Sequence, residues 1–263
     1  MTDILIFDSG VGGLSIYQEV RCRLKEADIS YVSDNAFYPY GTKDPEVLLD
    51  RIKSLFRDLV AELRPQLIII ACNTASTIAL PALRKMCPQI DIVGVVPAIK
   101  PAAQASQSKV IGLLATPATV SRMYIEDLIN SHAEDCHVVK VGSGKLVAAA
   151  EAKLRGEPWP VAEIKKELAP FIREKPDTIV LGCTHFPLLR EEIESCLPGV
   201  KLVDSTLAIG NRVASLLQGR SLQSSRSRAV FTLESRSIDL LKPYLGNIEI
   251  DEVRFHQSPV NSF

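Results

Sequence analysis

The stretch Gln66–Arg84, QLIIIACNTASTIALPALR, decides how the chain is to be read. A short apolar run, Leu67 to Ile70, is followed by Ala71, Cys72 and a cluster of small polar residues. A helical pattern then begins. A continuous apolar run of this length suits a strand covered on both faces, as in a parallel sheet. Cys72 would then stand at the carboxyl end of the strand, where open α/β sheets bind their ligands. Taken alone, a cysteine there also fits simple packing, because free cysteine is among the most buried residue types.

A second stretch follows the same plan. Asp177–Ile193, DTIVLGCTHFPLLREEI, has an apolar run, a small residue, Cys183, Thr184, and then Pro and Leu in an apparent helix. A further pair, LIFDSGVGGLSIYQEV from Leu5 and IGLLATPATVSRMYIEDL from Ile111, shares strand, small polar turn and amphipathic helix. The two pairs come in the same order, which points to an internal duplication. Strands are expected at Ile4–Phe7, Ser30–Val32, Leu67–Ile70, Ile92–Val95, Val110–Leu114, Val138–Val141, Thr178–Leu181 and Lys201–Val203, alternating with helices. Pro45 after Asp44 suits a first helical position. Pro160 is read in the same way, heading a helix that carries Val161, Ile164, Leu168, Phe171 and Ile172. Strand, helix and strand are expected after the polar segment 221–228, completing the first sheet.

The expected architecture is therefore α/β. Two similar doubly wound domains with largely parallel sheets would be related by a pseudo-two-fold, with the active site in the cleft between them. The first domain is placed at 1–97 plus 206–263, carrying Asp8 and Cys72. The second is placed at 98–205, carrying Glu151, Cys183 and His185.

Composition narrows the function. The net charge is −1 and 46% of the residues are hydrophobic. No broad basic field is available to hold a nucleic-acid backbone. No apolar run approaches a membrane span, and the MTDILIFDSG start does not read as a signal peptide. Six cysteines without a C-x-x-C pair suit a reduced, cytoplasmic protein better than a zinc or disulfide scaffold. Cys22, Cys87, Cys136 and Cys196 read as non-catalytic, and His132, His137 and His256 as surface or packing residues.

Four motifs carry chemistry. DSGVGG from Asp8 is a glycine-rich strand-to-helix turn without the G-K-[ST] of a phosphate loop. Its N–H groups could hold a carboxylate, while Asp8 could bind an ammonium, act as a base, or cap the helix with Ser9. Pro39-Tyr40-Gly41 makes a turn after a strand, suited either to a polar ligand or to turn geometry alone. At Cys72, a helix N-terminus would favour thiolate. At Cys183, the nearby His185 allows a Cys–His hydrolase, whereas zinc would need more ligands than are visible. The equivalent placing of Cys72 and Cys183 favours a different chemistry. One thiolate removes a proton from one face of a carbon while the opposite thiol supplies one to the other.

Together DSGVGG, PYG, ACNTAS and GCTHFPLL resemble the glutamate racemases, the cofactor-independent branch of amino-acid racemases that supplies D-glutamate for peptidoglycan. The resemblance covers essentially the whole chain. It implies Cys72 and Cys183 as acid/base thiols, Cys72 acting on D-glutamate and Cys183 on L-glutamate. Asp8 and His185 are implied as their helpers, and Glu151 as a carboxylate on the Cys183 side. Substrate contacts are implied at Asp8, Ser9, Pro39, Tyr40, Gly41, Asn73, Thr74, Thr184 and His185, and at the Thr116 and Thr119 loop. The chain departs from many members at Val141–Val147, VGSGKLV, where they carry an A-C-P-x-L-V stretch. The resemblance further implies no cofactor or metal, a homodimer, and in some relatives a peptidoglycan-precursor activator. Aspartate or hydantoin racemase, a Cys–His hydrolase using Cys183 alone, and a non-catalytic binding protein are the alternatives.

Overall fold

The computed structural model of the protein describes residues 2–223 and 225–256. The chain divides into two compact units, Met1–Val95 with Thr206–Phe263, and Val96–Ser205.

The first unit holds a six-stranded sheet built from β1 (Ile4–Asp8), β2 (Ile29–Ser33), β3 (Leu67–Ile70), β4 (Asp91–Gly94), β9 (Ser227–Phe231) and β10 (Glu252–Phe255), in the order β10-β9-β2-β1-β3-β4. The second holds β5 (Val110–Ala115), β6 (His137–Gly142), β7 (Thr178–Leu181) and β8 (Lys201–Val203), in the order β6-β5-β7-β8. Every pairing is parallel. The run β2-β1-β3-β4 and the run β6-β5-β7-β8 follow one connection order. In each, the strand that ends before a cysteine lies beside the strand that opens the unit's first polar turn.

The apolar strands are buried on both faces. All residues of β1, β2 and β3 are buried. On one face Leu5, Phe7, Val32, Ile68 and Ile70 pack against α2 (Pro45–Leu63) and α3 (Asn73–Met86), through Leu48, Ile52, Leu55, Phe56, Ala75 and Leu83. Phe7 and Phe56 meet edge to face with centroids 4.9 Å apart. Each such side chain contributes about 1.5–3 kcal/mol when fully buried. On α1 (Leu14–Arg23), Leu14, Ile16, Tyr17 and Val20 are buried. In the second unit Ile111, Leu113, Ala115 and Val180 pack with Ile99, Ala102, Ala103 and Ile125 from the helices Ile99–Ala105 and Met123–His132.

The expected strands are all present, most of them one residue longer at an end or shifted by one. The three elements expected after residue 228 are also found, as β9, the helix Arg236–Asn247 and β10. Asp44 caps α2 by accepting from the N–H groups of Glu46 and Val47, with Pro45 first in the helix. Two expectations need correction. Pro160 occupies the N-cap rather than the first helical position, and the single expected helix is two, Val161–Glu167 and Ala169–Glu174. Pro170 explains the break, since it has no N–H to continue the ladder from the first helix. The apparent helix directly after Cys183 begins instead as a 3-10 turn, Phe186–Leu189, and becomes α-helical only at Arg190–Cys196.

Candidate active site

In the first unit, β1 delivers Asp8 to the carboxyl edge of the sheet. The turn that follows folds back on it, so that Asp8 Oδ1 accepts the Gly10 N–H at 3.1 Å and the Ser9 hydroxyl at 3.3 Å. Neither residue caps α1. Gly13 holds the N-cap position, without a side-chain bond. Gly13 is required there by close approach: a Cβ would lie 2.8 Å from Ala71 Cβ and 2.9 Å from Asp8 Oδ2.

Next to it, Ala71 donates its N–H to Phe7 O at 2.8 Å, carrying the pairing of β3 with β1 one residue beyond the strand. Cys72 then leaves the sheet and becomes the N-cap of α3, its Sγ accepting the Ala75 N–H at 3.5 Å. Cys72 is 7% exposed, and its sulfur sits where helix N–H groups favour negative charge. Ser9 Oγ lies 3.6 Å from Cys72 Sγ. Asn73 and Thr74 form the buried first turn of α3. Ser76 has a structural task, linking Ile70 O to the Val95 N–H.

The Pro39-Tyr40-Gly41 turn is a 3-10 helix, Tyr40–Thr42, following a cis Tyr38–Pro39 bond. Pro39 is exposed and Tyr40 buried. The Tyr40 hydroxyl donates to Asp34 Oδ2 at 2.7 Å, and Arg51 grips the same carboxylate with Nε at 3.0 Å and Nη2 at 2.7 Å. Thr232 donates to Asp34 Oδ1 at 2.8 Å. Burial, then the charge of Asp34 and the hydrogen bond to it, hold the Tyr40 phenol well above its ordinary pKa, so it stays a neutral donor. Asp34, Arg51 and Thr232 were not singled out from the sequence. Asp34 falls inside the stretch SDNAFYPYGTKD, but nothing in its spacing announces Arg51 or Thr232 as partners.

The second unit repeats the plan with different chemistry. Gly182 donates to Leu114 O at 2.7 Å, as Ala71 does to Phe7 O, and Cys183 follows at the end of β7. Cys183 Sγ is 3.7 Å from His185 Nδ1, and His185 Nε2 is 3.0 Å from Glu151 Oε1. Glu151 comes from the helix Gly144–Leu154, and Arg155 one turn on reaches its other oxygen at 3.4 Å. Burial pulls the His185 pKa down, but the hydrogen bonds to Cys183 and Glu151 and the charges of both outweigh it. The net result is an imidazole well above its ordinary value. Thr184 is buried beside Cys183. Thr116 caps the short helix Pro117–Val120 and shares a 2.8 Å hydroxyl contact with Thr119.

Among the described residues no group of three or more His, Cys, Asp or Glu could hold a metal ion, and no helix is long and apolar enough to cross a membrane. His256, read as a surface or packing residue, has Nδ1 3.3 Å from Glu62 Oε2.

The molecule is thus a parallel α/β protein with a buried thiol after a central strand in each of two sheets, Cys72 in contact with Ser9 and Cys183 with His185. Residues 11–212 match the Asp/Glu/Hydantoin racemase family. The chain is similar to the glutamate racemase of Proteus mirabilis, 47% identical over 257 residues, which are 95% of this chain and 89% of that protein. It is 48% identical to the glutamate racemase of Shewanella loihica, over 89% of this chain and 88% of the relative. Among solved structures, the Escherichia coli glutamate racemase, in complex with L-glutamate and the activator UDP-MurNAc-ala, superposes with a TM-score of 0.92 at 40% identity, covering 97% of this chain and 98% of that one. The chain belongs to the Asp/Glu/hydantoin racemase family and is a racemase, an isomerase.

Proposed function

We propose that this racemase interconverts L- and D-glutamate by two-base proton transfer at Cα, with Cys72 and Cys183 as the bases. The observation that carries the reading is the pair of thiols at matching ends of β3 and β7, each with its own acid–base partner. The named relatives supply the substrate.

With L-glutamate, the Cys183 thiolate takes the α-proton and becomes a thiol. The Cys72 thiol gives its proton to the opposite face of Cα and becomes a thiolate. With D-glutamate the roles reverse. His185, held by Glu151, stands in reach of Cys183 as its proton-transfer partner. Asp8, joined to Cys72 through the Ser9 hydroxyl, is the final acceptor and source of its proton. The α-proton is a very weak acid, so the developing carbanion needs donors fixed in advance on the carboxylate. Asn73, Thr74 and Thr184, with the Ser9 turn, the Pro39-Tyr40-Gly41 turn and the Thr116–Thr119 loop, are assigned to the substrate. The reaction requires both thiols to reach one α-carbon with water excluded. The domains of this reading are 1–97 plus 206–263 and 98–205, each contributing one thiol.

The cellular role that follows is cytoplasmic supply of D-glutamate for peptidoglycan, by a homodimer that needs no cofactor. The Escherichia coli relative supports a peptidoglycan-precursor activator as a further partner. The test is polarimetry of L-glutamate with the purified protein and no pyridoxal phosphate. Rotation should decay to zero. Unchanged rotation with glutamate but decay with aspartate or a hydantoin would transfer the reading to those substrates.

A further inference from the structure

The two thiols are served by different bridging groups, and the one at Cys72 has no assigned role beyond touching substrate. At Cys183 the order is thiol, imidazole, carboxylate: Cys183, His185, Glu151. At Cys72 a hydrogen-bonded path runs from the sulfur to Ser9 Oγ at 3.6 Å and from Ser9 Oγ to Asp8 Oδ1 at 3.3 Å. Its members are closed in. Asp8 is 0% exposed, Ser9 5% and Cys72 7%. Asp8 is also held by the Gly10 N–H, and its side chain packs closely against Gly13. Other ionisable groups near Cys72 include Tyr40 and, behind Tyr40, the paired Asp34 and Arg51.

We propose that Ser9 is the proton relay between Cys72 and Asp8, the hydroxyl counterpart of His185. Cys72 S–H donates to Ser9 Oγ while the Ser9 O–H donates to Asp8 Oδ1. Transfer breaks the S–H bond and forms an O–H on Ser9. At the same time the original Ser9 O–H bond breaks and a carboxyl O–H forms on Asp8. The net movement is one proton from Cys72 to Asp8, with Ser9 unchanged and its hydroxyl now aimed at the thiolate. Returning the proton reverses each step. A hydroxyl does this without gaining charge, whereas the imidazole at Cys183 is a cation. Hydrogen bonds of catalytic groups are often long before substrate binds, so 3.3 Å and 3.6 Å suit a relay that tightens in the complex.

This inference rests on the two-thiol reading, and its test separates the two. Ser9→Ala and Ser9→Thr are compared with the unaltered protein, whose own racemisation of glutamate tests the parent reading. A relay predicts that Ser9→Ala lowers kcat by about 10²-fold, beyond any rise in KM from the lost substrate contact, and that Ser9→Thr restores much of kcat. An activity-independent arm measures alkylation of each cysteine by iodoacetamide at neutral pH, using peptide mass spectrometry. Cys72 should react roughly tenfold more slowly in Ser9→Ala, because the thiolate loses a donor, while Cys183 is unchanged. The unchanged Cys183 rate also reports that the variant is folded. A raised KM with kcat retained would overturn the relay and leave Ser9 a substrate contact. So would an unaltered Cys72 rate, or a slowed rate at both cysteines.

Discussion

His185 shows at the scale of one residue how neighbours set chemistry. It is 3% exposed, and burial alone would make it neutral. Cys183 and Glu151 on its two ring nitrogens reverse that. The imidazole should therefore remain protonated above pH 6.5 in the folded protein, and NMR titration of its ring protons checks this. Glu151→Gln should move the midpoint down. A midpoint at or below 6.5 in the unaltered protein would contradict the account. The sign for stability follows. The folded pKa is above the unfolded one, so the contribution is complete below about pH 6.5 and is lost as pH rises through the folded midpoint. At Cys72 and Cys183, replacement by Ser should each lower racemisation by about 10³-fold or more, measured by polarimetry. Much of this residue-scale picture was legible in the sequence, because strand-end cysteines with polar followers announce themselves. The Asp34 cluster was not, because Thr232 lies 198 residues away and only folding brings it to Asp34.

At the scale of elements, the turn between β1 and α1 depends on Gly13. Gly13→Ala places a methyl against Ala71 Cβ and the Asp8 carboxylate. It should cost about 1–3 kcal/mol in a urea titration and reduce activity through Asp8, whereas a silent substitution would refute the packing account. The Tyr40 turn depends on α2, whose Arg51 neutralises Asp34 in the core. Asp34→Ala strands a buried guanidinium and should cost about 3–5 kcal/mol by the same titration. The central strands β1, β3 and β7 were readable because both faces are buried and their apolar runs are nearly uninterrupted. Helix starts were harder. Pro160 signals a start without fixing whether it is the cap or the first residue. The 3-10 turn after Cys183 shares its Pro and Leu with a true helix, and only the backbone separates them.

At the scale of the whole molecule, the first unit is assembled from both ends of the chain. β9 inserts beside β2, and its Arg228 meets the buried Asp28 with Nη2 at 2.7 Å, while Thr232 completes the ring around Asp34. A chain ending before Ser227 should therefore lose cooperative unfolding of the first unit, followed by hydrogen exchange in β1 and β2. The order β2-β1-β3-β4 and its repetition in β6-β5-β7-β8 give each unit one thiol at the end of a central strand. A pair of thiols with separate acid–base partners suits two-base transfer at carbon. The most direct test is L-glutamate racemised in deuterium oxide, with Cα deuterium followed at early times by NMR and mass spectrometry. Two bases predict that D-glutamate forms with deuterium at Cα while the recovered L-glutamate still carries protium. D-glutamate that retains the original protium would mean that a single base carries the proton across, contradicting the account.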